Sequence, residues 1–139
     1  MWNINTTTGQ YTSALPGTGL TKHVVAILVL LGIFAACQAV DVCTTVYALN
    51  HGSQELNPVM TGVVENPLLF WGVKGAVVCL FALVGWHALH AGRPRLGVGG
   101  LTIVTCIAFI PVLLNLITLV NAGAMPDFLA GGWRDAFRG

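Results

Sequence analysis

The chain has 139 residues, of which 55% are hydrophobic and 8% are charged, and its formal net charge is +1. Soluble domains carry about 25% charged residues, so this composition is typical of an integral membrane protein rather than a soluble one. The chain has six Lys and Arg residues and no basic run, which gives no reason to expect nucleic-acid binding.

The first predicted element follows a polar stretch. Residues 1–21 are rich in Thr and Gly and show no periodicity, which predicts a polar N-terminal tail. A bilayer needs about 20 apolar residues, so Lys22–Asn50 is long enough to form the first transmembrane helix. This run is too long for a signal-peptide core and lacks a basic leader, so we expect a retained span.

A polar hairpin between Asn50 and Asn66 contains two Asn-Pro steps. Asn before Pro is typical of a helix N-cap followed by proline at the first helical position. The first step predicts a short interfacial helix over Val59–Glu65. The second opens the second transmembrane helix, Pro67–His90.

Small side chains lie at helical spacing on two of the spans, where they permit close approach of helix backbones. On the second helix such a face can meet either the first helix or another copy of the protein. The residues concerned are Gly32, Ala35, Ala36 and Ala39, and then Gly72, Gly75, Ala76 and Gly85.

The third predicted span runs from about Leu96 to Asn121, inside a three-helix transmembrane domain of residues 22–122. In residues 123–139, aromatic and apolar side chains alternate with Arg and Asp, which predicts an amphipathic segment in the membrane interface. The expected fold is therefore all-α and integral to the membrane. It has three transmembrane helices, a short interfacial helix between the first two, and an amphipathic C-terminal segment.

Few charges bear on orientation. Arg93 and Arg95 lie in a very short loop, which should be cytoplasmic by the positive-inside rule. We therefore expect Lys22 and the N-terminus in the cytoplasm, and the hairpin and the C-terminus outside. The localisation expected is a multi-pass protein of a bacterial or archaeal inner membrane.

Asp41 and Lys74 are the only charged residues deep inside apolar segments. By helical rise, they lie roughly 13 Å and 12 Å from the hairpin ends of their helices, and Asn115 lies roughly 9 Å from the end of the third. Because successive spans alternate in direction, all three residues approach one membrane face at similar depth. The predicted polar cluster comprises Gln38, Asp41, Thr44, Thr45, Glu55, Asn57, Lys74, Asn115 and Thr118.

Energetics favour a contact between the two charges. One ionised group near the bilayer centre costs about 2.5–3.5 kcal/mol on insertion scales. Two opposite charges at about 4 Å attract by about 4 kcal/mol at an effective dielectric constant of 20. We therefore expect Asp41 to meet Lys74, with Glu55 or Glu65 as alternative partners. The pair either fixes the packing of the helices or forms an ion site, a solute site or a proton relay.

The pattern of Asp41 with Thr45, then Gly52, then Glu55-Leu56-Asn57-Pro58, then Lys74 in the next span resembles a family of small bacterial and archaeal membrane proteins of unknown function. The resemblance covers about residues 34–85. It implies that Asp41, Glu55, Asn57 and Lys74 act as a unit, and it implies no activity.

No motif for catalysis, phosphate binding or a cofactor is evident. His87 and His90 lie one turn apart and His23 lies at the same membrane face, but interfacial histidines without a ligand are commoner than metal or haem sites, so we expect neither. The four cysteines include no C-x-x-C pair, so neither a disulfide framework nor a zinc site is expected.

Three functions remain from the sequence, of which an intramembrane enzyme is the least supported. The first is a non-enzymatic accessory or assembly subunit of a larger or homo-oligomeric membrane complex. The second is a small ion or solute transporter or channel that uses Asp41 and Lys74.

Overall fold

The structure is a computed structural model that describes residues 18–52 and 58–137. Every element in these two ranges is helical, as predicted. The elements are α1 (Thr18–Asn50), α2 (Pro58–Val64), α3 (Pro67–His90), α4 (Pro94–Asn121), α5 (Met125–Leu129) and a 3₁₀ helix (Gly132–Phe137).

Three of these helices, α1, α3 and α4, are long and apolar enough to cross a membrane, with mean hydropathies of 2.4, 2.1 and 2.6 over an apolar stretch of 18 residues in each. The prediction of an all-α, multi-pass membrane protein is therefore confirmed. The helix α1 begins at Thr18, four residues before the expected Lys22. The rest of the predicted polar tail lies outside the described residues.

Side-chain contacts show that α3 runs antiparallel to α1. Near the start of α1, a methyl group of Ile27 lies 3.2 Å from the position that a Cβ at Gly85 would occupy, close to the end of α3. Further along α1, the ring of Phe34 packs edge-on against Phe81, with 5.3 Å between centroids. Contacts thus move backwards along α3 as they move forwards along α1.

Contacts between α1 and α4 show that these helices run parallel. Ile27 also lies beside Gly97 in the first turn of α4, and Tyr47 packs with Leu119 near the ends of both helices. The bundle therefore has a loop end, where α3 connects to α4, and a hairpin end, where α1 and α4 finish and α3 begins.

Local sequence explains where α3 and α4 begin. Asn66 caps α3, because its Oδ1 accepts a hydrogen bond of 3.1 Å from the Leu69 amide and Pro67 occupies the first turn. This cap was predicted from the Asn-Pro step and is confirmed. The helix α4 begins at Pro94, two residues before the expected Leu96, because the fixed φ of proline suits a first helical position.

The amphipathic C-terminal segment forms two short helical pieces. Gly131, between them, has a φ of 134°, which side chains other than glycine rarely adopt, and this breaks the helix. Phe128 is buried against Tyr47 and Leu119, whereas Leu129 is 71% exposed. The segment therefore packs over the hairpin end of α1 and α4.

Candidate functional site

A direct ion pair joins the first two spans. Lys74 Nζ lies 2.7 Å from Asp41 Oδ2, and the two side chains are 18% and 8% exposed. The ammonium also lies 5.5 Å from the centroid of the Phe70 ring, within the range of a cation–π interaction. The contact expected from counting residues along the helices is therefore present. Lys74 meets Asp41 rather than Glu65, which is exposed at the end of the hairpin.

The third span joins the pair through Asn115. Its Nδ2 donates to Asp41 Oδ1 at 3.0 Å, to Thr45 Oγ1 at 2.9 Å and to Thr44 Oγ1 at 3.1 Å. An amide nitrogen has two hydrogens, so these three acceptors share them. Both oxygens of the Asp41 carboxylate therefore have a donor, one from each neighbouring helix.

Thr44 lies at the centre of this arrangement and is fully buried. Its hydroxyl hydrogen is directed to the α1 backbone, where the Val40 and Asp41 carbonyls lie 2.9 and 3.1 Å from Oγ1. A threonine hydroxyl can donate in this way and still accept. Thr44 Oγ1 is thereby oriented as an acceptor toward Asn115.

Helix periodicity explains why these residues meet. Asp41, Thr44 and Thr45 lie three and four residues apart, on one face of α1. Lys74 reaches this face because α3 is antiparallel to α1, and Asn115 reaches it because α4 is parallel. We call Asp41, Thr44, Thr45, Lys74 and Asn115 the polar cluster.

Two of the predicted members are not joined by the hydrogen bonds of the polar cluster. Thr118 is exposed, and its hydroxyl donates to the Leu114 carbonyl of its own helix at 3.0 Å. Gln38 is half-buried on α1. Glu55 and Asn57 lie outside the described residues, so their place in the cluster stays a prediction.

An apolar layer separates the ion pair from the hairpin end. Val42, Val46, Val64 and Phe70 pack together, and their side chains are between 0% and 4% exposed. Sequence reasoning missed this layer, although Phe70 lies one helical turn from Lys74, and Val42 and Val46 lie one turn apart.

Beyond this layer lies a cleft of about 440 Å³ between α1, α2 and the start of α3. Its polar lining includes a carboxylate, an amide and a hydroxyl. The residues that line it are Val46, Leu49, Asn50, Thr61, Val64, Glu65 and Pro67. We call it the hairpin cleft.

The role of Tyr47 was also not predicted from the sequence. Its ring stacks on His51 at a centroid distance of 4.0 Å and packs edge-on against Phe128 at 5.2 Å. Gly132 lies directly against the same ring, so a side chain there has no room. The C-terminal segment is thus fitted to Tyr47, one turn beyond Thr44 on α1.

The described residues include no group of three His, Cys, Asp or Glu side chains placed to hold a metal ion. His90 Nδ1 lies 3.0 Å from the Trp86 carbonyl oxygen, and its ring packs on that of Trp86. All four cysteines are free. The expectation that the protein uses no metal and no cofactor stays a prediction.

A model of a family described as "Domain of unknown function (DUF5658)" matches residues 32–121. The match covers more than half of the chain and includes the whole polar cluster. It continues through α4, beyond the region whose residues suggested a family of unknown function. That the Asp-Thr, Glu-x-Asn-Pro and Lys pattern marks this family stays a prediction. No curated protein and no solved structure matches the chain.

Proposed function

The chain belongs to this family of unknown function, and we propose that it is a non-enzymatic membrane protein that serves as an accessory or assembly subunit. It docks onto another copy of itself or onto a larger membrane-protein complex. In this proposal, the polar cluster is a structural contact that fixes the packing of α1, α3 and α4.

The observation that carries the proposal is a narrow, uncovered face on α3. Gly72, Gly75, Ala76 and Cys79 follow one another at helical spacing, and all four are exposed. A Cβ added at Gly72 or Gly75 would meet nothing within 4 Å. We call these four residues the small-residue face.

Two glycines elsewhere on the spans pack inside the protomer. Gly85 and Gly97 are buried where α1, α3 and α4 approach closely, beside Ile27. In the apolar stretch of 18 residues in each helix, 11% of α3 is buried inside the protein, against 22% of α4. A larger share of α3 is therefore free to contact another helix. In lipid, small-residue faces favour helix association because the backbones approach closely. The small-residue face therefore supports association with a helix from outside this protomer.

The geometry of the polar cluster supports a structural role. Asp41 is 5% exposed as a residue and has donors on both carboxylate oxygens. Each carboxylate oxygen already has one protein donor, and an incoming cation would compete with the Lys74 ammonium for the same negative charge. Asp41 of α1 is bonded to Lys74 of α3 and to Asn115 of α4, so the cluster fixes the relative position of all three helices.

The test is site-directed photocross-linking in native membranes. A variant that keeps only Cys79 is labelled with benzophenone maleimide, irradiated, and examined for adducts. The proposal predicts an adduct with a second copy or with another membrane protein. A variant that keeps only Cys106 is the matched control, because this cysteine is also exposed but lies on α4.

Purification in mild detergent gives a second measurement. The proposal predicts that Gly72→Leu, which adds bulk on the small-residue face, removes the associated protein or the second copy. Gly100→Leu is the matched control, because Gly100 is also exposed with no atom near its would-be Cβ. Absence of a Cys79 adduct, together with a lone monodisperse species for the unaltered chain, contradicts the proposal.

We also propose the orientation of the chain in a bacterial or archaeal inner membrane. Arg93 and Arg95 in the short α3–α4 loop support a cytoplasmic loop end, so the N-terminus is cytoplasmic and the C-terminus is outside. Alkaline phosphatase fused after the last residue should be active, and a fusion within the α3–α4 loop should be inactive. The reverse pattern contradicts this orientation.

One observation favours a second candidate function, the transport of an ion or small solute. The hairpin cleft, with the Glu65 carboxylate in its lining, lies on the far side of the apolar layer from Lys74. Rearrangement of the apolar layer, of which Val46 and Val64 line the cleft, would connect the cleft to the ion pair. Flux into liposomes should then fall in Asp41→Asn and Lys74→Met. Unchanged flux in both variants contradicts transport through this site.

A further inference from the structure

A groove at the loop end of the bundle combines an apolar floor with a basic rim. It lies between the last turns of α3 and the start of α4 and has a volume of about 240 Å³. Its rim carries His87 and Arg93, both exposed. The residues that line it are Val84, His87, Ala88, Ala91, Arg93, Leu96 and Gly97. We call it the loop-end groove.

Close approach of the two helices makes the floor of this groove. Gly97 is buried, and a Cβ there would lie 2.9 Å from the Cβ of Ala88. Val84 and Leu96 flank this contact and are 50% and 67% exposed. The groove therefore presents an apolar channel at the depth where the span meets the membrane surface.

The charges around the groove are of one sign. Arg93 directly precedes α4, and Arg95 lies in its first turn. Among the described residues, neither guanidinium has a carboxylate within salt-bridge distance. Three carboxylates have side chains that the structure describes, those of Asp41, Glu65 and Asp127, and all three lie in the hairpin half of the bundle. Residues 1–17 contain no Asp or Glu.

The start of α4 adds a partial positive charge. The helix has no side-chain N-cap and no acidic residue in its first turn, and Pro94 has no amide hydrogen. The amides of Leu96 and Gly97 both donate to the Arg93 carbonyl. The positive end of the helix dipole is therefore not compensated by any described side chain.

We infer that the loop-end groove binds an anionic phospholipid of the bilayer. The phosphate of this lipid faces Arg93 and the start of α4, and one acyl chain lies along Val84, Ala88 and Leu96. An anionic headgroup complements the rim, and a hydrocarbon chain complements the floor, so one lipid molecule satisfies both. Basic pockets between transmembrane helices recognise lipid headgroups by this combination. This inference does not depend on the proposed assembly function.

Native mass spectrometry of the purified full-length chain in non-ionic detergent tests the inference. Phosphatidylglycerol and phosphatidylcholine with the same acyl chains are compared, and phosphatidylglycerol should bind more tightly. Loss of the charge in Arg93→Gln should weaken phosphatidylglycerol binding roughly fivefold, and Arg95→Gln, whose arginine does not line the groove, should weaken it less. Arg93→Lys, which keeps the charge, should retain most of the binding.

Three controls make the result decisive. Arg134→Gln removes an exposed arginine at the hairpin end and should leave binding unchanged. Ala91→Leu fills the groove, leaves every charge in place, and should weaken binding. Glycerol 3-phosphate, which carries the headgroup charge without acyl chains, should not displace the lipid at equal concentration.

Thermal unfolding of each variant verifies that it is folded. Equal binding of the two lipids overturns the inference, as does an equal loss in Arg134→Gln. Displacement by glycerol 3-phosphate also overturns it, because the groove would then be a site for a free phosphate.

Discussion

Asp41 Oδ2 and Lys74 Nζ lie 2.7 Å apart between two helices of opposite direction, and Asn115 of the third span donates to the other oxygen of the same carboxylate. One aspartate thus contacts both neighbouring spans. Because an unpaired charge in a bilayer is costly, this contact selects the helix register in which the charges meet. The register then determines which faces of α1, α3 and α4 remain exposed.

Replacement of Asn115 by Leu should destabilise the fold by about 1–3 kcal/mol, because Asp41 Oδ1 and the Thr45 hydroxyl oxygen lose their donor. The measurement is the free energy of unfolding in detergent micelles. Thr118→Val is the matched control on the same helix. Its hydroxyl is exposed and bonds only to the backbone of α4, so the change should cost less than about 0.5 kcal/mol. Equal losses in the two variants would show that Asn115 has no special role.

Much of this arrangement can be predicted from the amino-acid sequence alone. Hydropathy predicts the spans, and counting residues at a fixed rise per residue places Asp41, Lys74 and Asn115 at one level. The alternating direction of consecutive spans then brings them together. The Asn66 cap can also be predicted from the Asn66-Pro67 step, because helix capping depends only on local geometry.

The remaining features depend on which faces of the helices turn inward. Thr118 shares a helix turn with Asn115, but the packing of α1 on α4 leaves it exposed. The contact of Tyr47 with Phe128 joins residues far apart in the chain and requires the turn between α4 and α5, where Gly123 has a φ of 67°. Residue spacing alone could not show whether the glycines of α3 contact α1 or another copy of the protein. In the structure, Gly85 packs inside the protomer and Gly72 does not.

Gly97→Ala should be destabilising, because the added Cβ would lie 2.9 Å from the Ala88 Cβ and 3.4 Å from a methyl group of Ile27. Overpacking of this kind costs about 1–3 kcal/mol. Gly100→Ala lies one turn further along the same helix in open space and should be neutral or stabilising, since alanine is the better helix former. Thermal unfolding of both variants measures the difference. A stable Gly97→Ala protein would contradict the close packing of α1, α3 and α4.

Gly132→Ala should release the C-terminal segment from the hairpin end. The added Cβ would collide with the Tyr47 ring and would lie 3.2 Å from the Asp127 carbonyl oxygen, so the segment has to move. Hydrogen exchange of the backbone amides in residues 125–137 should accelerate, while the amides of α1 and α4 keep their protection. Gly62→Ala, in α2 with open space around it, should leave this exchange unchanged. Unchanged exchange in Gly132→Ala would contradict the packing of this segment on Tyr47.

The most direct test of a structural ion pair is a double-mutant cycle of Asp41→Leu and Lys74→Met, with the free energy of unfolding measured in detergent. Each single change leaves one charge without its partner and should cost about 3 kcal/mol or more, whereas removal of both charges is often nearly neutral. The Asn115 amide keeps the Thr44 and Thr45 hydroxyls as acceptors in the double variant. The double variant should therefore be more stable than either single variant. A double variant that loses the sum of the two single losses would contradict it.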